Sequence, residues 1–276
     1  MALNNSISQN LIKPKNLKKI YRSKRVKILD CRWYLEDEKK GFLQYRNKHI
    51  PNAIFFDIDK ISNKESKLPH MFPKTDIFTQ FINKSGINKN SEIIIYDQIG
   101  FFSSSRVWIL FKYFGFKNVK ILDGGFYIWK KKKYELESGC RAIKYSRSYT
   151  QISMPNLIIN QSSLKKEINA NQSIIIDARP ETRFKGKVEE PRPNLRKGNI
   201  KNSTNIFFGS LINGLGYLKT KNDLVEIFKG FSKKKNVICY CGSGITACNI
   251  IFVLYILNFT KIKLYDGSWA EWGKIK

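Results

Sequence analysis

The chain repeats itself, and this constrains its fold more than any other feature. Val26-Lys27-Ile28-Leu29-Asp30-Cys31-Arg32 is an apolar run closed by Asp-x-Arg, and Ser173-Ile174-Ile175-Ile176-Asp177-Ala178-Arg179 has the same form. The segment from His49-Ile50-Pro51-Asn52 to Phe55-Phe56 returns as Asn199-Ile200-Lys201-Asn202 to Phe207-Phe208. Ile93-Ile94-Ile95-Tyr96-Asp97 returns as Val237-Ile238-Cys239-Tyr240-Cys241, and Leu122-Asp123-Gly124-Gly125 as Tyr265-Asp266-Gly267-Ser268. Four blocks recur in the same order at near-constant spacing. The chain is therefore one structural unit written twice.

Within each copy, short β-branched runs bounded by Asp, Gly and polar residues alternate with helical patterns. The helical patterns cover Thr75–Ser85 and Ser104–Phe114 in the first copy, and Thr220–Gly230 and Thr246–Leu257 in the second. Continuous apolar runs of this kind are buried parallel strands, and strand–helix alternation specifies an α/β domain with helices on both faces of its sheet. The expected organisation is a first domain over 15–138, a polar and basic linker over 139–157 that contains Pro155, and a second domain over 158–276.

The 276 residues carry 50 Lys+Arg against 22 Asp+Glu, a formal charge of +28. That balance invites a nucleic-acid or anionic-membrane reading. Yet 39 of the basic residues are lysines, scattered among abundant Asn and Ile, and the dense runs (130–133 and 233–235) are short. A solvated lysine surface explains this better, and neither nucleic acid nor membrane is expected as a partner. The 11 arginines are the informative cations. The five cysteines form no CxxC pair, and His49 and His70 are the two histidines, so neither a metal site nor a disulfide framework is expected. The segment from Met1 to Ile20 lacks a signal-peptide apolar core, and the longest apolar run, Ile250–Phe259, is about half a membrane span. These features point to the cytoplasm.

In a parallel α/β sheet, ligands bind beyond the carboxyl ends of the strands. In the second copy that position reads Cys241-Gly242-Ser243-Gly244-Ile245-Thr246-Ala247 and leads into an apolar helix. Two glycines in four residues let the backbone curl around the Cys241 sulfur, with amides and a helix N-terminus forming an anion nest. A sulfur so placed is a nucleophile. The first copy has Asp97 there, which cannot do thiolate chemistry. A phosphatase loop needs an arginine after its cysteine, and none follows Cys241; a cysteine protease needs a neighbouring histidine, and the second copy has none. Cys239 and Cys248 read as packed core residues.

The duplicated unit with its cysteine in the second copy alone resembles the tandem-domain rhodanese family of sulfurtransferases, over nearly the whole chain. The loop is similar to that of the family's 3-mercaptopyruvate branch, as are Leu264–Trp269 and Leu68-Pro69-His70-Met71; thiosulfate-specific members carry basic residues where this chain has Gly242 and Ser243. The resemblance implies two rhodanese-like α/β domains and sulfur transfer from 3-mercaptopyruvate through a Cys241 persulfide. The acceptor would be a thiol such as thioredoxin, or cyanide, with pyruvate released and no cofactor. It also implies a substrate-binding pair, Arg183 and Arg192, with Gly242, Gly244, Ile245 and Thr246 of the loop, and a relay of Ser243, His70 and Asp59. A surface ion pair of Arg183 or Arg192 with Glu181, Glu189 or Glu190 is the plainer alternative, as is a packed interface position for His70. Arg179 and Arg32 read as strand-end ion pairs, and His49 as a structural histidine. Two function classes besides 3-mercaptopyruvate transfer remain: a thiosulfate sulfurtransferase, and a non-catalytic basic binding module. Asn199-Ile200-Lys201-Asn202 departs from the family's usual His-Ile-Pro-Gly, which bears on local stability rather than on chemistry.

Overall fold

The computed structural model describes residues 7–140, 145, 147–148 and 150–275. Six residues of the basic N-terminal segment (1–6), residues 141–144, 146 and 149 of the expected linker, and residue 276 lie outside the described residues.

The two copies fold alike. In the first, β1 (Leu11–Ile12), β2 (Val26–Asp30), β3 (Ala53–Phe55), β4 (Glu92–Tyr96) and β5 (Val119–Leu122) form a parallel sheet in the order β1-β5-β4-β2-β3. In the second, β6 (Ile158–Ile159), β7 (Ile174–Asp177), β8 (Ser203–Asn205), β9 (Val237–Tyr240) and β10 (Ile262–Tyr265) repeat it as β6-β10-β9-β7-β8. Leu11–Ile12, ahead of the expected domain start at 15, pair with Ile121–Leu122 as an edge strand. The four expected helices form at Thr75–Lys84, Ser104–Tyr113, Lys221–Phe228 and Ala247–Ile256, each within a residue or two of its expected ends.

Burial on both faces is visible residue by residue. Ile93 and Ile95 of β4 enter one apolar cluster while Ile94 and Tyr96 enter another. In β9, Val237 and Cys239 share the first of these clusters, and Ile238 and Tyr240 belong to a third. Alternate side chains of a strand point to opposite faces, so each sheet is covered on both sides, as its unbroken apolar runs require. Burying each such Ile or Val stabilises the fold by roughly 1.5–3 kcal/mol. The shared cluster contains residues of both units. Ser104–Tyr113 and Ala247–Ile256 meet there, with Trp108 edge-on to Phe252 at 4.9 Å and to Tyr255 at 5.1 Å. A helix buried all round needs no polar face, and this explains the apolar run that ends in Phe259.

The repeated Asp-x-Arg is a brace at the carboxyl ends of β2 and β7. Arg32 pairs with Asp30 at 2.6 Å and donates to the Lys48 carbonyl at 2.8 Å; Arg179 pairs with Asp177 at 2.7 Å and donates to the Gly198 carbonyl at 2.7 Å. Such multiply bonded Arg–carboxylate pairs combine charge with fixed geometry. His49 is buried with Nδ1 2.8 Å from the Tyr45 carbonyl, which makes it structural. In the departed loop, Asn199 Nδ2 donates to the Phe184 carbonyl at 3.0 Å. Asn202 takes a left-handed φ of 63°, matching Asn52 at 68°, and asparagine is among the residues that tolerate that region. The loop keeps its turn without the family's usual proline and glycine.

Candidate active site

Strand order places the site. The chain leaves β7 toward β8 on one side of the sheet and leaves β9 toward β10 on the other, so the crevice beyond their adjoining carboxyl ends is the switch point of the second unit. Cys241 follows β9 there, and Arg179 and Arg183 follow β7. The loop after Cys241 curls because Gly244 adopts φ +80°, and a Cβ on it would lie 2.8 Å from Asp266 Oδ1. Both the backbone angle and the close approach demand glycine. Among the described residues, the amides of Gly242, Ser243, Gly244, Ile245 and Thr246 meet no protein acceptor. The loop is fastened instead through Cys241 and Gly242, whose carbonyls accept from Trp269 N at 3.0 Å and Ala270 N at 2.8 Å, while Cys241 N donates to Ser268 Oγ at 3.2 Å.

Cys241 opens onto a cavity of about 220 Å3, lined by Gly242, Ser243, Ile245 and Thr246 of the loop, by Arg179, Arg183 and Arg192, and by Trp33, Leu35, Phe102, Phe207 and Phe208. Of the expected loop residues, Gly244 does not line it and serves the curl. The two arginines close over Gly242, where a Cβ would lie 3.1 Å from Arg183 Nη2 and 3.8 Å from Arg192 Nη1. Arg183 pairs with the buried Glu190, whose other oxygen pairs with Arg179 at 2.7 Å. Asp177, Arg179, Glu190 and Arg183 thus form one chain of ion pairs from the strand end to the cavity. The ion pair expected as the plainer alternative for Arg183 is present, and it aims the guanidinium at the loop. Arg192 has no ion-pair partner among the described residues. Burial draws its pKa below the ordinary guanidinium value; Cys241 opposes this and the Arg183 charge adds to it. A cation pressed against another cation in a partly desolvated site calls for an anion.

The first unit contributes the remaining groups. His70 is buried, with Nδ1 2.9 Å from Ser243 Oγ and Nε2 2.8 Å from Asp59 Oδ1. The other Asp59 oxygen accepts Trp33 Nε1–H at 3.0 Å, and the Trp33 ring meets His70 edge-on at 5.0 Å. Facing a carboxylate, which only accepts, Nε2 carries the proton, leaving Nδ1 to accept the Ser243 hydroxyl. Burial lowers the His70 pKa from the ordinary 6.5; Asp59 opposes this, and the charges of Arg192 and Arg106 reinforce it. The ring is therefore neutral near pH 7, the state in which it can take a proton. The expected trio is assembled across the boundary between units, as the packed interface position for His70 also requires. No group of three or more His, Cys, Asp or Glu side chains able to hold a metal ion occurs among the described residues.

The chain matches the Rhodanese-like domain family over residues 13–132 and 160–275. The chain belongs to the rhodanese family. It is 36% identical over 252 residues to the 3-mercaptopyruvate sulfurtransferase of Escherichia coli K12, covering 90% of this chain and 89% of that protein. With the rat 3-mercaptopyruvate sulfurtransferase it shares 32% identity over 261 residues, covering 93% and 88%. The crystal structure of SseA, a 3-mercaptopyruvate sulfurtransferase from E. coli, superposes with a TM-score of 0.85 at 33% identity, covering 95% of this chain and 99% of that one.

The two rhodanese loops of this chain explain each other. In the first unit the buried Asp97 carboxylate occupies the cysteine's position, and its two oxygens accept five amides: Ile99 at 3.0 Å, Gly100 at 2.5 Å, Phe102 at 2.7 Å, and Ser103 and Ser104 at 2.9 Å each. The first rhodanese loop is an anion cradle that carries its own anion. The second has the Cys241 sulfur at the same place and, among the described residues, amides with no protein acceptor. Sequence reading missed Trp33 and Phe102, which no motif marks, and read Phe207 and Phe208 only as the end of a repeated block; it gave Glu190 only as a surface partner when it is the buried hub of two arginines.

Proposed function

We propose that this protein transfers sulfur from 3-mercaptopyruvate, through a persulfide on Cys241, to a thiol acceptor such as thioredoxin, or to cyanide, and releases pyruvate. The observation that carries the reading is the juxtaposition of Cys241, the unclaimed amides of its loop and two guanidinium groups in one small cavity. The donor has a carboxylate and a ketone, both of which a pair of planar multi-donor cations can hold. Arg183 arrives pre-aimed by Glu190; Arg192 gains a counter-charge when the carboxylate enters.

With the donor so held, the Cys241 thiolate attacks its sulfur. The new S–S bond forms as the C–S bond breaks, and the carbon leaves with the electron pair as the enolate of pyruvate. Ser243 is placed to pass the thiol proton of the donor or of Cys241 to His70, with Asp59 stabilising the imidazolium, and the imidazolium returns that proton to the enolate to give pyruvate. Amides of residues 242–246 then stabilise the persulfide anion, as those of the first unit do for the Asp97 carboxylate. Gly242, Ile245 and Thr246 shape the donor pocket. The division into a supporting domain (15–138), a linker (139–157) and a catalytic domain (158–276) belongs to this reading, and so does the cytoplasm as its compartment, where the free thiols stay reduced. Among the described residues no helix is long and apolar enough to cross a membrane.

Intact-mass measurement after treatment with 3-mercaptopyruvate, without added reductant, is expected to show a gain of one sulfur atom; its absence would sink the proposal. A much higher kcat/KM with thiosulfate than with 3-mercaptopyruvate would make the protein a thiosulfate sulfurtransferase instead. A basic binding module would bind nucleic acid with steep salt dependence and form no adduct.

Arg183→Lys and Arg192→Lys are expected to raise KM for 3-mercaptopyruvate by about 10-fold or more, because lysine keeps the charge and loses the fork. The larger effect is expected at Arg192, which has no ion-pair partner among the described residues. A KM within twofold of the parent for both would count against carboxylate binding there.

Persulfide formation is also expected to depend on pH through His70. A base must be unprotonated, so the rate falls as pH drops through its pKa; that pKa lies below 6.5, and the acid limb lies there too. Since Asp59 raises the pKa, Asp59→Asn is expected to move the limb to still lower pH while slowing the step. A limb above 6.5 in the parent would exclude this assignment.

A further inference from the structure

Arg106 is the least expected charge in the molecule. It lies in a helix whose residues Ser104 to Phe111 are all buried, and its own side chain is 1% exposed. Its guanidinium crosses from the first unit to the second. Nη1 pairs with Asp266 Oδ1 at 2.6 Å and donates to the Gly244 carbonyl at 3.3 Å, Nη2 donates to the His70 carbonyl, and the group rests on the Phe72 ring at 4.2 Å. Asp266 is equally buried, and its second oxygen accepts Phe72 N at 2.6 Å. One ion pair therefore joins the carbonyl of the relay histidine to the glycine that curls the cysteine loop. His70 needs such a hold, because its backbone sits at φ 59°, the left-handed region that side-chain-bearing residues adopt at a cost.

The internal repeat supplies a control. In the matching helix of the second unit the same third position is Asn249, whose Nδ2 reaches the Phe102 carbonyl at 3.4 Å. The counterpart of Asp266 is Asp123, which accepts Leu218 N at 2.9 Å in the way Asp266 accepts Phe72 N. Among the described residues Asp123 has no guanidinium beside it, and burial raises its pKa. The straps from one unit to the other are thus repeated on both sides, whereas the arginine occurs only on the side with Cys241. Docking the two units would call for both.

We propose that Arg106 and Asp266 form a positioning pair that sets the His70 imidazole against Ser243 across the interface between units. Neither touches the donor; they act through His70 and through the curl at Gly244. The inference rests on the relay of the preceding subsection. The guanidinium fork spans three acceptors at once, and an ammonium can pair with Asp266 without reaching both carbonyls.

The test is single-turnover persulfide formation from 3-mercaptopyruvate, read by rapid quench and intact mass, with steady-state KM alongside. Arg106→Lys is expected to slow the step by about 10²-fold, close to the effect of His70→Gln, with KM for the donor changed less than about threefold because the Arg183–Arg192 site is untouched. The double variant is expected to be no slower than His70→Gln alone, since residues acting through one group are not additive. Asp266→Asn, which keeps the acceptor for Phe72 N, is expected to show the same split and the same non-additivity, and it decides the matter if Arg106→Lys does not fold. Effects that multiply in the double variants, or a parental rate in Arg106→Lys, would overturn the pairing while leaving the relay intact. A parental rate in His70→Gln would remove the relay and the pairing together. No adduct in the parent would remove the function itself.

Discussion

Cys241→Ser is expected to abolish both turnover and the sulfur adduct. The thiolate is nucleophilic at neutral pH in a way a serine hydroxyl is not, and losing the group that forms the covalent intermediate costs at least roughly 10⁴-fold in rate. The substitution is conservative for the fold. The residue is buried, its backbone bonds to Trp269 and Ser268 do not involve the sulfur, and an oxygen is smaller than the atom it replaces. The other second-unit thiols cannot substitute. Burial pushes the Cys248 thiol up to about 12 and raises that of Cys239 as well, so neither supplies thiolate near pH 7. Cys248 is further occupied in donating to the Gly244 carbonyl at 3.2 Å. The measurement is intact mass after donor treatment, paired with the cyanide assay. A sulfur adduct surviving in Cys241→Ser would place the chemistry elsewhere, and the exposed Cys140 would then be the site to test.

What could be read from the sequence follows the range of the physics involved. The strands and the cysteine loop are local: a run such as Ile93–Ile95 is buried on both faces wherever it folds, and Cys241-Gly-Ser-Gly must curl because only glycine fits at Gly244. Repetition of these local signals then yielded the two-unit architecture. The contact between His70 and Ser243 is of another kind, spanning 173 positions and two units, and only the resemblance to the family brings those residues together. Glu190 was legible as an acid near two arginines but not as their buried junction, because burial is a property of the assembled crevice. Arg106 had a signal that went unread: a lone arginine inside an apolar helix, in a chain that uses lysine for most of its charge, has to be answered by a buried carboxylate somewhere.

Asp97→Ala is expected to destabilise the protein by about 4 kcal/mol or more, although Asp97 has no place in the reaction. Five amides converge on its two oxygens in a site closed to solvent, and alanine leaves all five without an acceptor. Each unpaired buried donor costs about 1–3 kcal/mol, and relaxation and entering water recover part of the total. The loop also abuts the second unit, where the Cβ position of Gly100 lies 2.9 Å from the Gly216 carbonyl, so its loosening reaches the interface. The unfolding midpoint is expected to fall by about 10 °C. A smaller loss is expected for Asp97→Asn, which keeps one acceptor oxygen and turns the other toward the amides as a donor. Asp97→Gly separates an anion cradle from a generic core defect, because it opens the space that a small carboxylate can fill. Formate is expected to raise the midpoint of Asp97→Gly well beyond its effect on the parent, through the binding linkage by which any ligand of the folded state stabilises it. A midpoint for Asp97→Ala within about 2 °C of the parent, or no selective rescue by formate, would mean that the amides do not act as a cradle. The same backbone curl around Cys241 would then lose its claim to hold a persulfide anion.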